Sequence, residues 1–145
     1  MELKRELTNG VLIFLGIGVF FLLMEVLGLS DVYYLRAFNI FIVFFFVNRT
    51  LKANIQQGKT NYWQNLISAG LTSMIGVVLS VAALRLYIVM RGGNEYLKNL
   101  SEVFIFGSEP SVNEYCIGLL FEGSAISLIA TFVLMQYWKV HTVVD

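Results

Sequence analysis

Four polar residues, Glu25, Asn39, Arg85 and Glu122, each interrupt a different apolar run of the chain. Ionisable groups inside a bilayer are costly, so where they occur they mark ion paths, ligand counter-ions or paired structural charges. Two carboxylates, one guanidinium and one amide at a shared depth suit a proton or cation site, or a pocket for a polar headgroup or small solute. The same residues suit a buried ion pair of Arg85 with Glu25 or Glu122, with Asn39 hydrogen-bonded beside it to fix helix register. They also suit charges that snorkel to a nearby interface. Two acids face one base, so the unpaired carboxylate would need a proton, a bound cation or a path to water.

Such residues need membrane-spanning helices to position them, and the composition supplies the material. The chain has 145 residues, 57% hydrophobic and 14% charged, where a soluble domain runs at about half apolar and about a quarter charged. Its mean hydropathy is +0.72. This is the composition of an integral membrane protein with a single domain, residues 1–145, and no room for a separate soluble catalytic module. The formal net charge of +0 argues against nucleic acid as a partner, because phosphate binding needs a basic surface. The expected surroundings are the lipid bilayer.

A bilayer core about 30 Å thick needs about 20 mostly apolar residues. Four stretches qualify, near 10–29, 33–51, 66–90 and 115–138. Arg36 and Arg49 lie near the ends of the second and can snorkel to opposite interfaces. The pairs Tyr62–Trp63 and Tyr137–Trp138 sit where an interfacial aromatic belt belongs. Between the third and fourth stretches, Tyr96, Leu97, Leu100, Val103 and Phe104 share one helical face, which predicts a short amphipathic interfacial helix over 94–106. Gly92 and Gly93 would release it from the third span, and the segment from Gly107 to Pro110 would turn the chain into the fourth. The fold expected is an all-α integral membrane protein, a four-transmembrane-helix antiparallel bundle.

Lys4, Arg5, Arg49, Lys52, Lys59 and Lys139 gather on one side if the chain crosses four times. Asp31, Glu95, Glu102, Glu109 and Glu114 gather on the other, against Arg36, Arg91 and Lys98. The positive-inside rule then puts both termini in the cytoplasm. A cleaved signal peptide is the rival reading of the first stretch, with Gly28 and Ser30 as a small-x-small site. The length of the run and Glu25 near its end favour a retained anchor.

On the third stretch, Ala69, Ser73, Gly76, Ser80, Ala83 and Tyr87 recur four and three residues apart, a seam of mostly small residues that lets two backbones approach closely. Gly123, Ser127 and Thr131 offer a matching edge on the fourth. The seam suits packing within the chain, or contact with a membrane-protein partner or a second copy. At about 100° per residue, Arg85 lies roughly 140° from Ser80 and 200° from Ala83, so Arg85 and the seam cannot face one neighbour. Either Arg85 points inward and part of the seam outward, or the seam is internal and Arg85 snorkels.

Depth follows from counting. The four polar residues lie roughly 6 to 10 Å inside the outer ends of their spans at 1.5 Å per residue, one per helix. No cofactor or metal centre is expected: Cys116 and His141 are each the only residue of their type, and zinc or haem ligation needs more. There is no HExxH or GxSxG motif, so catalysis is not expected. Gly58 and Lys59 read as a turn and an inside charge rather than a phosphate loop.

The segment from Arg49 to Gly70, RTLKANIQQGKTNYWQNLISAG, is followed by a long apolar helix with Tyr87 and an amphipathic stretch before the last span. Over nearly its whole length the chain resembles a family of uncharacterised four-helix inner-membrane proteins of Bacteroidota, grouped as a domain of unknown function. That resemblance implies fold and compartment only, because the family brings no catalytic residues. The function expected is a structural, accessory or binding subunit of a membrane complex. The alternative is a minimal transporter or ion-conducting component using the polar layer.

Overall fold

The computed structural model describes residues 2–30, 32–100 and 110–143. They form α1 (Leu3–Val26), a 3-10 segment (Tyr33–Phe38) that runs into α2 (Asn39–Gln56), α3 (Tyr62–Met90), α4 (Asn94–Leu100) and α5 (Val112–Val143), with no strand among the described residues. All but α4 are long and apolar enough to cross a membrane, over Leu3–Val26, Tyr34–Gln56, Tyr62–Met90 and Val112–Lys139. That is the signature of a multi-pass membrane protein.

The helices outrun the apolar stretches that announce them, except that α1 stops at Val26, short of 29. α1 begins at Leu3, not near 10, because Lys4, Arg5 and Glu6 are good helix formers and nothing before Gly10 interrupts the backbone ladder. Turns end the elements where glycine takes a left-handed backbone: Gly58 (φ 76°) after α2 and Gly93 (φ 63°) after α3. At the start of α3 the Asn61 side chain accepts a hydrogen bond from the Gln64 N–H at 3.3 Å. α5 opens with a capping box: Ser111 Oγ accepts from the Glu114 N–H at 3.3 Å, and Glu114 Oε2 accepts from the Ser111 N–H at 2.8 Å.

α4 covers the first half of the expected interfacial helix. Leu97 is buried and Tyr96 half-buried, with Asn94, Glu95 and Lys98 exposed, as the periodicity requires. The remainder of 94–106 lies outside the described residues, as do Asp31, Glu102, Glu109, Val103, Phe104 and most of the turn expected from Gly107 to Pro110. The side chain of His141 is likewise not described.

α3 is the central element, packed against α1, α2 and α5. Its seam is internal, and within it Gly76 faces α1. A Cβ on Gly76 would collide with the Ile13 side chain of α1 and come within 3.2 Å of the Gly10 carbonyl oxygen; a Cβ on Gly10 would meet Ile75 Cγ2 at 2.6 Å and the Thr72 carbonyl oxygen at 3.0 Å. The closest approach is therefore an α1–α3 crossing at two glycines. Gly123 of α5 fits against Val77, one residue round from Gly76, where a Cβ would lie 2.5 Å from Val77 Cγ1. Ala69, Ser73, Gly76 and Ser127 are buried, and Ser80 and Ala83 half-buried. The buried part of the seam is covered by the chain's own helices and is not available to a partner or second copy.

Beside this crossing a core of Ile13, Val43, Val47, Leu51, Ala69, Ala130, Leu134 and Met135 draws on all four long helices. A second cluster of Ile88, Leu97 and Tyr115 joins α3, α4 and α5.

Two glycine substitutions should separate packing from helix propensity. Gly76→Val is expected to lower thermal stability in detergent by an overpacking cost of about 1–3 kcal/mol. Gly18→Ala, where a Cβ meets nothing within 4 Å, should be neutral or gain up to about 1 kcal/mol. Unfolding midpoints of the two purified variants check this.

Candidate functional site

The four polar residues do not gather at one site. Glu25, at the end of α1, accepts a hydrogen bond from the Tyr96 hydroxyl at 2.7 Å and pairs with Arg91 at 3.6 Å. Arg91 Nε donates to the Tyr87 hydroxyl at 3.1 Å, and its guanidinium lies over the Tyr87 and Tyr96 rings at 5.4 and 5.9 Å. Burial, then the hydrogen bond to Glu25, push the Tyr96 hydroxyl far above the usual phenol range, so it remains a donor. The Tyr87 hydrogen bond, and to a lesser degree Glu25, hold Arg91 above its ordinary value. This group ties α4 to the ends of α1 and α3.

Arg85 is exposed and donates to Asn113 Oδ1 at 3.0 Å. The expected pairing of Arg85 with Glu25 or Glu122 is not formed, for the reason the helical angles allow: an internal seam turns Arg85 away from the bundle. Glu25 takes the neighbouring base Arg91 instead.

Asn39 and Glu122 do share a setting. Both line a cavity of about 320 Å³ between all four long helices, at the lower end of the range of about 300–1,000 Å³ for ligand pockets. Its walls are mostly apolar, with Phe14, Ile17 and Phe21 from α1, Leu35 and Val43 from the second span, Val77 and Leu84 from α3, and Leu119 and Ile126 from α5. Ser80, Ala83 and Gly123, three small residues of the seam region, also line it. Their lack of bulk beyond the Gly76 crossing leaves the space. Arg36 and Tyr115 supply polar groups: Arg36 Nη1 donates to the Tyr115 hydroxyl at 2.7 Å, with the guanidinium 5.9 Å from the ring centroid. Arg36, expected to snorkel to an interface, is thus turned into the bundle, the role that one of the two readings gave Arg85. The Asn39 Oδ1 atom is buried with no hydrogen-bond partner, while Glu122 is exposed on α5.

At the opposite end of α1 lies a polar cluster that the hydropathy reading passed over. Glu6, Asn9, Thr50, Asn54, Asn65, Ser68, Thr72 and Ser73 are all buried. Ser68 Oγ donates to Glu6 Oε1 at 2.5 Å, Asn54 Nδ2 donates to Ser68 Oγ at 3.0 Å, and Asn9 Nδ2 donates to Thr50 Oγ1 at 2.8 Å. Thr50 and Thr72 hydroxyls meet at 3.3 Å. The signal was present as spacing: 6 and 9, 50 and 54, and 65, 68 and 72 each fall on one helical face. Placing the first span at 10 left Glu6 outside the membrane and hid it. Around the cluster's outer edge Glu2 pairs with Arg5 at 3.1 Å and Lys59 at 3.3 Å.

Comparison with protein families, curated proteins and solved structures finds no match for this chain, and with it no enzymatic family or fold.

The Glu2 pairs carry a pH dependence. The hydrogen bond from Lys59, then the charge of Arg5, hold the Glu2 carboxyl below its ordinary value of 4.5. A carboxyl lowered on folding stabilises fully above that value, and the contribution is lost as pH falls through the lower, folded one. Glu2→Gln should therefore leave neutral-pH folding nearly intact and flatten part of the loss of thermal midpoint below about pH 4.5. The difference should shrink with added salt, because these charges are exposed.

Proposed function

We propose that this protein is a binding or accessory subunit of the bacterial inner (cytoplasmic) membrane, an antiparallel four-helix bundle that holds the apolar chain of a membrane amphiphile in its inter-helix cavity. The observation that carries the reading is the shape and chemistry of that cavity. It is walled by aliphatic and aromatic side chains from every long helix, and its few polar groups, Arg36, Tyr115, Asn39 and Glu122, are suited to orienting a headgroup while the walls hold the chain. Arg36 favours an anionic or strongly hydrogen-bonding headgroup.

The dispersal of Glu25, Arg85 and the Asn39–Glu122 pair among three settings supports binding over conduction, since a relay needs its polar groups in reach of one another. The basic residues Lys4, Arg5, Arg49, Lys52 and Lys59 support cytoplasmic termini.

Ala83→Trp would fill the cavity from a half-buried lining position. Protein purified gently from native membranes should carry a retained amphiphile by native mass spectrometry, at a level at least about tenfold above that of the variant, as loss of a pocket worth 1.4 kcal/mol or more requires. Equal levels of bound lipid in both would sink the proposal. Orientation has its own check: Gln57→Cys should be labelled by an impermeant thiol reagent only after the cytoplasmic face is opened, and Glu95→Cys in intact spheroplasts.

A further inference from the structure

The buried cluster around Glu6 has an imbalance that hydrogen bonding inside the chain does not resolve. Glu6 is 0% exposed, and among the described residues no lysine or arginine lies within ion-pair distance of its carboxylate. The hydroxyl donors nearby are committed. Ser68 has one proton, given to Glu6 Oε1; Thr72 Oγ1 donates to the Ser68 carbonyl at 2.8 Å; Thr50 Oγ1 donates to the Phe46 carbonyl at 3.2 Å. Because Ser68 spends its only proton on the carboxylate, it can only accept from Asn54, which fixes the amide with Nδ2 towards Ser68. Asn65 Oδ1 then remains without a partner, and so do two further buried oxygens, Glu6 Oε2 and Asn54 Oδ1. The latter two belong to groups joined through the same hydroxyl.

A buried carboxyl with an unfilled acceptor must be neutralised, by a proton or by a bound cation. A lone buried carboxylate would otherwise bear the full cost of its desolvation. One carboxylate neutralises one positive charge, whereas a divalent ion would leave a buried excess. The described residues hold no group of three His, Cys, Asp or Glu side chains that would balance it. The oxygen-only donor set of carboxylate, amide and hydroxyls suits a hard cation.

We propose that this cluster is a binding site for one small monovalent cation of the sodium type, held between α1, α2 and α3 by Glu6 Oε2 and Asn54 Oδ1. The ion locks the three helices together beside the Gly10–Gly76 crossing. Its neighbouring surface recess is rimmed by Lys4, Arg5 and Arg49 against Glu2, a net positive edge that slows exchange. The site therefore retains an ion as part of the fold rather than passing ions through. The inference concerns the end of the bundle remote from the amphiphile cavity and does not rest on it.

The test is thermal unfolding of the purified full chain in detergent at fixed pH and ionic strength, with choline chloride replaced stepwise by NaCl, LiCl or KCl. The wild type should show a saturable rise in midpoint with NaCl, larger than with KCl. At sodium a hundred times its Kd, the unfolding constant should fall about a hundredfold. Glu6→Gln, which keeps shape and removes the charge, should lose the response. Asn54→Ser provides a second, smaller change should Glu6→Gln not fold, and should weaken it. A wild type indifferent to the identity of the cation would overturn the proposal and assign the two oxygens to a proton or a bridging water. Retention of the sodium response in Glu6→Gln would overturn it equally.

Discussion

The closeness of α1 and α3 at Gly10 and Gly76 governs the rest of the structure. In a bilayer the surroundings are as apolar as the side chains, so burial alone does not bring helices together; packing and interhelical hydrogen bonds must do so. Two facing glycines let the backbones meet, with each missing Cβ replaced by the neighbour's Ile75 or Ile13. That contact sets the rotation of α3. It turns the remaining seam inward, sends Arg85 outward and brings Ser68 opposite Glu6.

From this crossing the bundle differs towards its two ends. Towards the start of α1, small polar side chains on three helices interlock, each interhelical hydrogen bond contributing about 0.6 kcal/mol in a membrane setting. Their individual weakness matters less than the cost of leaving a buried carboxylate uncompensated. Towards the end of α1, small residues on α3 and α5 face bulky ones across a wider space, and the cavity results. At the same end of α1 the Glu25–Arg91 ion pair and the edge-to-face Tyr87 and Tyr96 rings fix α4 against the bundle.

Buried polarity thus differs along the bundle. The Arg36–Tyr115 bond keeps a guanidinium inside the bundle next to an apolar cavity. The Glu6 cluster is sealed within the chain. Glu2, Arg5 and Lys59 remain at the edge, where water and salt weaken them.

The four long helices, the turns at Gly58 and Gly92–Gly93 and the buried face of α4 were legible in the sequence, because each rests on a local cause: apolar length, a left-handed glycine or a repeat of three to four residues. The small-residue seam was legible too, but not its partner. Helical spacing gives the angle between two side chains on one helix and is silent about which helix stands opposite. So the sequence posed the choice between an inward Arg85 and an internal seam, and the α1–α3 contact decided it. Glu6 was passed over because hydropathy averages a short polar stripe into the flanking charges. Its burial depends on Asn54 and Ser68, residues 48 and 62 positions away along the chain. Local chemistry by itself determined where the helices run; which polar groups meet was decided only in the tertiary structure, because a hydrogen bond needs both partners within about 3 Å.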